Sequence, residues 1–152
     1  NEEELKKVIN SSFAPDIIQL PMNILDTRLF RKGIIDKISN MGIEVHVRSV
    51  FLQGLFYLSN EIIKKDFRDA YSSLEKLKEI SRNEELSLPE LSLLWVINMN
   101  QISKIIIGIN NLFQLRSHLD TLTKKLSKSV VDQALSVIYE NEKILNPSLW
   151  KS

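Results

Sequence analysis

The chain has 152 residues, 43% hydrophobic and 26% charged, which is one ordinary globular domain with enough apolar material for a core. Twenty Lys and Arg against nineteen Asp and Glu leave a net charge of +1, too even for the clustered basic field that a nucleic-acid groove needs. There is no Cys, which excludes a disulfide scaffold, thiol catalysis and Cys-ligated metals, and no apolar run approaches the ~20 residues of a membrane helix.

The opening NEEELKK has no apolar stretch behind its charges, so it is no signal peptide, and the chain reads as cytoplasmic. It starts without Met inside a helical pattern, from which we expect the later part of a longer protein. Leu5, Val8 and Ile9 fall at helical spacing, and Ser11 and Ser12 break the pattern. PDIIQLPMN reads as a short strand bounded by Pro15 and Pro21. Phe30, Ile34, Ile35, Ile38 and Met41 make one helix stripe, ended by Gly42. IEVHVRSVF then alternates, with Ile43, Val45 and Val47 on one face and Glu44, His46 and Arg48 on the other.

A long helical region carries Phe67, Ala70, Tyr71, Leu74 and Leu77. Ser87 and Glu90 form a capping box that starts a helix through Trp95 and Ile97. ISKIIIGI is a β-branched run of strand length ending near Gly108, and Asn111 to Gln114 repeats the cap pattern. Val130, Val131, Ala134, Leu135 and Ile138 define a last helix, and NPSLWKS reads as an irregular tail. The predicted order is α-β-α-β-α-α-β-α-α, an α/β chain with parallel strands. Periodicity leaves open whether the three strands belong to a doubly wound sheet or to part of a barrel.

Three segments in order resemble the aldo/keto reductase family. IIQLPMNILDTRL (residues 17–29) is similar to the family's Gln-containing strand. IEVHVRSVFLQGLF (43–56) resembles its aromatic-Ser-Pro-Leu-x-x-Gly strand end, and the RSVFLQG wording resembles a bacterial subgroup. KIIIGINNLFQLRSHL (104–119) is similar to its Ile-x-Gly cofactor segment, and LSLPELSLLWVI to the helix before it. The resemblance runs over about residues 2–122. It implies the C-terminal part of a (β/α)₈ TIM barrel, of ~250 residues when whole, occupying residues 1–152 here with the N-terminal barrel strands absent. It implies NADP or NAD as cofactor and a small carbonyl substrate. The family's catalytic Asp, Tyr, Lys and His lie in earlier strands, so no catalytic residue is expected in this portion, which would be inactive by itself.

Functional groups of such barrels gather at the C-terminal strand ends. By resemblance Gln19 would hold the nicotinamide carboxamide, to which an amide can both donate and accept. Arg48 stands where many members have an aromatic against the nicotinamide ring; a guanidinium can stack there, or pair with Glu44 or a phosphate. Ser49, Phe51, Gln53 and Gly54 would wrap the pyrophosphate. Gly108, Asn110, Gln114 and His118 would hold the adenine end at a helix start, although Gln114 also suits half of a capping box. His118 replaces the family's usual Asn, and the Lys-Ser pair that some members use for a 2′-phosphate is missing at Gly108-Ile109, so NADP and NAD both stay open. His46 reads as a hydrogen-bonded interior histidine, and no metal site is expected. Lys104 falls at the start of its strand, the wrong end for a Schiff base. Lys124, Lys125 and Lys128 read as a solvated helix face. The rival reading is a non-catalytic partial barrel that binds a nucleotide or a protein through its open edges. Neither the substrate nor the oligomeric state is legible.

Overall fold

A computed structural model of the chain describes residues 2–11 and 14–150; Ser12 and the last two residues of the tail, Lys151 and Ser152, lie outside these. Three strands form one parallel sheet in the order β1 (Ile17–Pro21), β2 (Glu44–Arg48), β3 (Lys104–Ile105). Helices fill the connections, as parallel pairing requires. Helix α1 (Glu2–Ile9) precedes β1, α2 (Arg28–Arg31) and α3 (Ile34–Asn40) join β1 to β2, and α4 (Asn60–Asp66), α5 (Tyr71–Asn83) and α6 (Leu88–Ile97) join β2 to β3. Then come α7 (Leu112–Thr121), α8 (Lys128–Ser136) and α9 (Glu142–Leu145).

The two faces of the sheet differ in chemistry because strand side chains alternate. Ile18, Leu20, Val45 and Val47 are buried against the helices, with Ile35 and Ile38 of α3 and Leu91 and Leu94 of α6. α6 is apolar on all sides and eight of its ten residues are buried, so it is the central helix of the core rather than an outer layer. Its start is fixed by the capping box: Ser87 Oγ accepts from Glu90 N–H, and Glu90 accepts from Ser87 N–H at 2.8 Å. The other sheet face carries Ile17, Gln19, Pro21, Glu44, His46, Arg48 and Lys104. The register Gln19↔His46↔Lys104 sets three polar side chains in one row across the strands.

Four expectations need correction. The stripe from Phe30 to Met41 is two helices, because Gly33 sits between them at φ 66, in the left-handed region that interrupts a right-handed helix. Gly42, at φ 77, does follow the end of α3. The run ISKIIIGI pairs over only Lys104–Ile105. Ser103 N–H and Ile106 N–H add one bond each, to Val45 O at 2.9 Å and Val47 O at 2.7 Å, but β2 ends at Arg48 and leaves the rest of the run no ladder to join. The last helix stops at Ser136: Val137 is extended, which puts Ile138 outside the helix and leaves it exposed. The start of the tail is not irregular: a 3₁₀ turn over Pro147–Leu149 is capped by Asn146, and just before the tail stands α9, capped by Asn141.

Candidate functional site

The C-terminal ends of β1 and β2 open into a cavity of about 1000 Å³. Gln19, Arg48, Ser49 and Gln53, from two strands and one loop, line it together. Gln19 is exposed on the polar sheet face because its neighbours Ile18 and Leu20 take the buried one. Arg48 Nη1 donates to Ser49 Oγ at 3.1 Å, and among the described residues no carboxylate pairs with it. Of the three arrangements open to it, pairing with Glu44 is therefore not the one seen. Glu44 instead accepts from His46 Nε2 at 3.0 Å, and that hydrogen bond, helped by Lys104, holds its carboxyl below the usual range. His46 is hydrogen-bonded and partly buried, on the polar face of the sheet.

The loop after β2 has an unusual backbone. Ser49, Leu52, Gln53 and Gly54 all have positive φ (62, 45, 52 and 87), and three of these four are not glycine. Each such residue costs roughly 1–2 kcal/mol, so surrounding contacts must hold the loop in shape. Those contacts are visible. Leu52, Leu55 and Phe56 are buried, Ser92 Oγ of α6 donates to Val50 O at 2.7 Å, and Asn23 Nδ2 donates to Ser49 O at 3.2 Å. Phe51, near the right-handed region at φ −104 and ψ 11, passes directly to left-handed Leu52. That succession folds the backbone on itself: Leu52 N–H donates to Ser49 O and Gly54 N–H to Phe51 O, both at 3.0 Å, which leaves the exposed Gln53 side chain at the tip.

The second predicted group lies apart from this cavity. Gln114 N–H donates to Asn111 Oδ1 at 2.9 Å, and Gln114 Oε1 accepts from Asn110 N–H at 2.8 Å, so both residues complete the N-terminal cap of α7. Gly108 has no positive φ, and nothing lies within 4 Å of where a Cβ would stand. His118 is buried and stacks on Phe51 with ring centroids 4.9 Å apart and 13° between planes. Burial pushes its pKa down, so it is held neutral. It borders an apolar hollow of about 170 Å³ between α6, β3 and α7. The Phe51–His118 stack links the two groups, since Phe51 belongs to the loop after β2. Lys124, expected as solvated, pairs with Glu90 at 2.7 Å. Among the described residues no three His, Asp or Glu come together to hold a metal, and no helix is long and apolar enough to cross a membrane.

Sequence reasoning passed over four cavity-lining residues: Asn23, Asp26, Arg28 and Glu142. Asn23 Oδ1 accepts from Leu25 N–H at 3.0 Å and Asp26 N–H at 2.9 Å, which makes the tight turn after β1. Arg28 then grips Asp26 side-on, through Nε at 2.7 Å and Nη2 at 2.9 Å, and reaches Glu142 through Nη1. The signal was present in NILDTR, four hydrogen-bonding side chains within the seven residues after the end of β1.

The model of the aldo/keto reductase family matches residues 3–138. Among solved structures, the chain is similar to a thermostable aldo-keto reductase crystallised with the inhibitor epalrestat. The TM-score is 0.63 at 21% identity, over 90% of this chain and 43% of that one. The similarity is one of fold: this chain spans less than half the length of that relative.

Proposed function

The chain belongs to the aldo/keto reductase family, and from that premise we propose that it forms the nucleotide-binding side of an NAD(P)H-dependent oxidoreductase acting on a carbonyl or alcohol. Its fold is part of a reductase-type barrel, three parallel strands with their helices. The observation that carries the reading is the left-handed loop from Ser49 to Gly54, held open beside Gln19 and Arg48 at the C-terminal end of the sheet.

The bound nucleotide would supply the hydride; the chain's own residues bind and orient. Gln19 offers a carboxamide that both donates and accepts, which fixes one rotation of a nicotinamide amide. Arg48 keeps a guanidinium plane and most of its N–H donors free of carboxylates, for a ring face or a phosphate oxygen. The Ser49 hydroxyl and the exposed Gln53 side chain, both lining the cavity, are offered to a pyrophosphate, while the Leu52 and Gly54 N–H groups are taken up by Ser49 O and Phe51 O. Gln19, Arg48, Ser49 and Gln53 fit the group. The adenine-end set fits it less well, because Gln114 and Asn110 are engaged with each other and His118 is buried. For those residues, with Gly108 and Phe51, we propose a supporting role, in which the Phe51–His118 stack and the α7 cap fix the loop from behind. The residues that give and take the substrate's proton are proposed to lie outside this chain.

Titration of the chain with NADPH and with NADH, followed by nucleotide fluorescence, tests this. Saturable binding is expected, weakened about tenfold by Gln19→Ala, in the range of one lost hydrogen bond to a polar ligand. No binding of either nucleotide would overturn the reading. Reduction of a carbonyl by the 152-residue chain would overturn only the placing of the proton donor elsewhere.

A second reading has its own observation. Leu112, Phe113, Leu119 and Leu122 of the α7 region are all more than half exposed, and Phe113 is 81% exposed. Such a patch beside the edge strand β3 suits a protein-binding surface.

A further inference from the structure

One hydrogen-bonded chain crosses the mouth of the large cavity. It begins at the loop after β2, where Ser49 O accepts from Asn23 Nδ2 at 3.2 Å. It passes through Asn23 Oδ1 to the Asp26 N–H at 2.9 Å, and through the Asp26 carboxylate to Arg28. It ends where Arg28 Nη1 donates to Glu142 at the start of α9. Asn23 and Asp26 are buried, so the middle of the chain is fixed, while Glu142 is exposed. The hydrogen bonds that Arg28 donates to Asp26 and Glu142 raise its pKa, so the guanidinium stays charged throughout the working range.

The far end of this chain matters because Glu142 and residues 145–148 line the same cavity as Gln19 and Arg48. That wall has other attachments at its flanks. Trp150 packs edge-on against Phe67 at 4.8 Å, and Asn141 donates to Asp69 at 3.2 Å. In the middle Leu145 is buried in the core and Ile144 O accepts from Trp150 Nε1 at 2.9 Å, while at the start of the wall the polar contact with the turn after β1 is the ion pair Arg28–Glu142.

We propose that Arg28 is a positioning residue that latches the C-terminal wall onto the nucleotide loop, so that ligand binding at residues 49–54 and closure of residues 142–148 are one coupled equilibrium. The proposal rests on the nucleotide reading above. Its physical basis is the directness of the path: the left-handed Ser49 cannot shift without moving the Asn23 carboxamide, and the same carboxamide sets the turn that presents Asp26 to Arg28. By linkage, a ligand that orders the loop tightens the wall, and a tightened wall holds the ligand better by the same factor. The latch is ionic and partly solvent-exposed, so it weakens with salt.

Lys143 reports the state of the wall, because trypsin can cut after it only when α9 opens. The experiment uses the full chain, with NADPH as ligand, and compares wild type with Glu142→Gln. This exposed substitution keeps the side chain's shape and removes only the charge. Expected in wild type is about three- to fivefold slower cleavage after Lys143 at saturating NADPH, the span of a surface ion pair. In Glu142→Gln, cleavage without ligand should be faster by about the same factor, NADPH protection should largely vanish, and the nucleotide should bind correspondingly more weakly. Wild type in 0.5 M NaCl should behave like the variant (about 0.5 M places the Debye length near 4 Å). If NADPH binds both proteins equally and does not slow cleavage, the coupling is wrong while the nucleotide reading stands. Absence of any NADPH binding would bring down both. Equal cleavage of the two ligand-free proteins would remove the latch itself.

Discussion

His118 is a histidine withdrawn from water, buried under α7 with its ring flat against Phe51. Burial lowers its folded pKa below the ordinary value of 6.5. The sign of the consequence follows from proton binding: as pH falls below about 6.5, the unfolded chain takes up this proton before the folded one does. His118 therefore costs nothing at neutral pH and destabilises the fold progressively between its unfolded and folded pKa values. The thermal midpoint of wild type should drop more between pH 7.5 and 5.5 than that of His118→Gln. Parallel pH profiles for the two proteins would show that this imidazole does not carry the effect. The same residue shows a limit of sequence reading. A His four residues after Gln114 falls in the last turn of α7, away from the helix start, and its stacking on Phe51, 67 positions earlier, is a tertiary fact that no local pattern announces.

Among the elements, the loop after β2 is where local preference and tertiary structure disagree most. Gln53 at φ 52 occupies a region that a side chain makes costly, and Gly54 beside it at φ 87 is the residue suited to such backbone. Gln53→Gly should therefore stabilise the ligand-free chain by about 0.5–1 kcal/mol, the relief of strain less the extra freedom gained by the unfolded chain. It should also weaken NADPH binding, since the loop loses both a side chain and its rigidity. A raised urea midpoint with unchanged slope would show the first, and a nucleotide titration the second. A lowered midpoint would mean that the Gln53 side chain holds the loop, contrary to its exposed position. Elements with strong local signals were readable. β2 was given by strict alternation, α6 by its capping box and Gly42 by its position after a stripe. The break at Gly33 was not, because apolar spacing continues through it from Phe30 to Ile38. Nor was α9, whose four residues are too few to show a period and whose stability comes from an Asn cap and an ion pair to a distant element. The Arg28–Glu142 pair joins positions 114 apart, a distance at which sequence proximity says nothing.

At the scale of the whole molecule, the sheet has both a covered face and an open one, and among the described residues its edge strands β1 and β3 each pair with β2 alone. An edge strand offers unpaired backbone groups to any other chain. On the β3 side this coincides with apolar surface: Ile106, Ile109, Leu112, Phe113 and Leu119 are all exposed by more than 40%. The net charge of +1 adds almost no repulsion to keep copies apart. The purified chain should accordingly self-associate as its concentration rises, and salt should strengthen rather than weaken this, since apolar contact drives it. Phe113→Glu with Leu119→Glu should shift sedimentation toward the monomer. Both residues are exposed, so the fold and the urea midpoint should change little. A wild-type chain that sediments as a monomer at all concentrations would mean that this face is adequately solvated as it stands. In that case the chemistry of α7 would have to be explained from its buried side, where His118 and Thr121 meet the core.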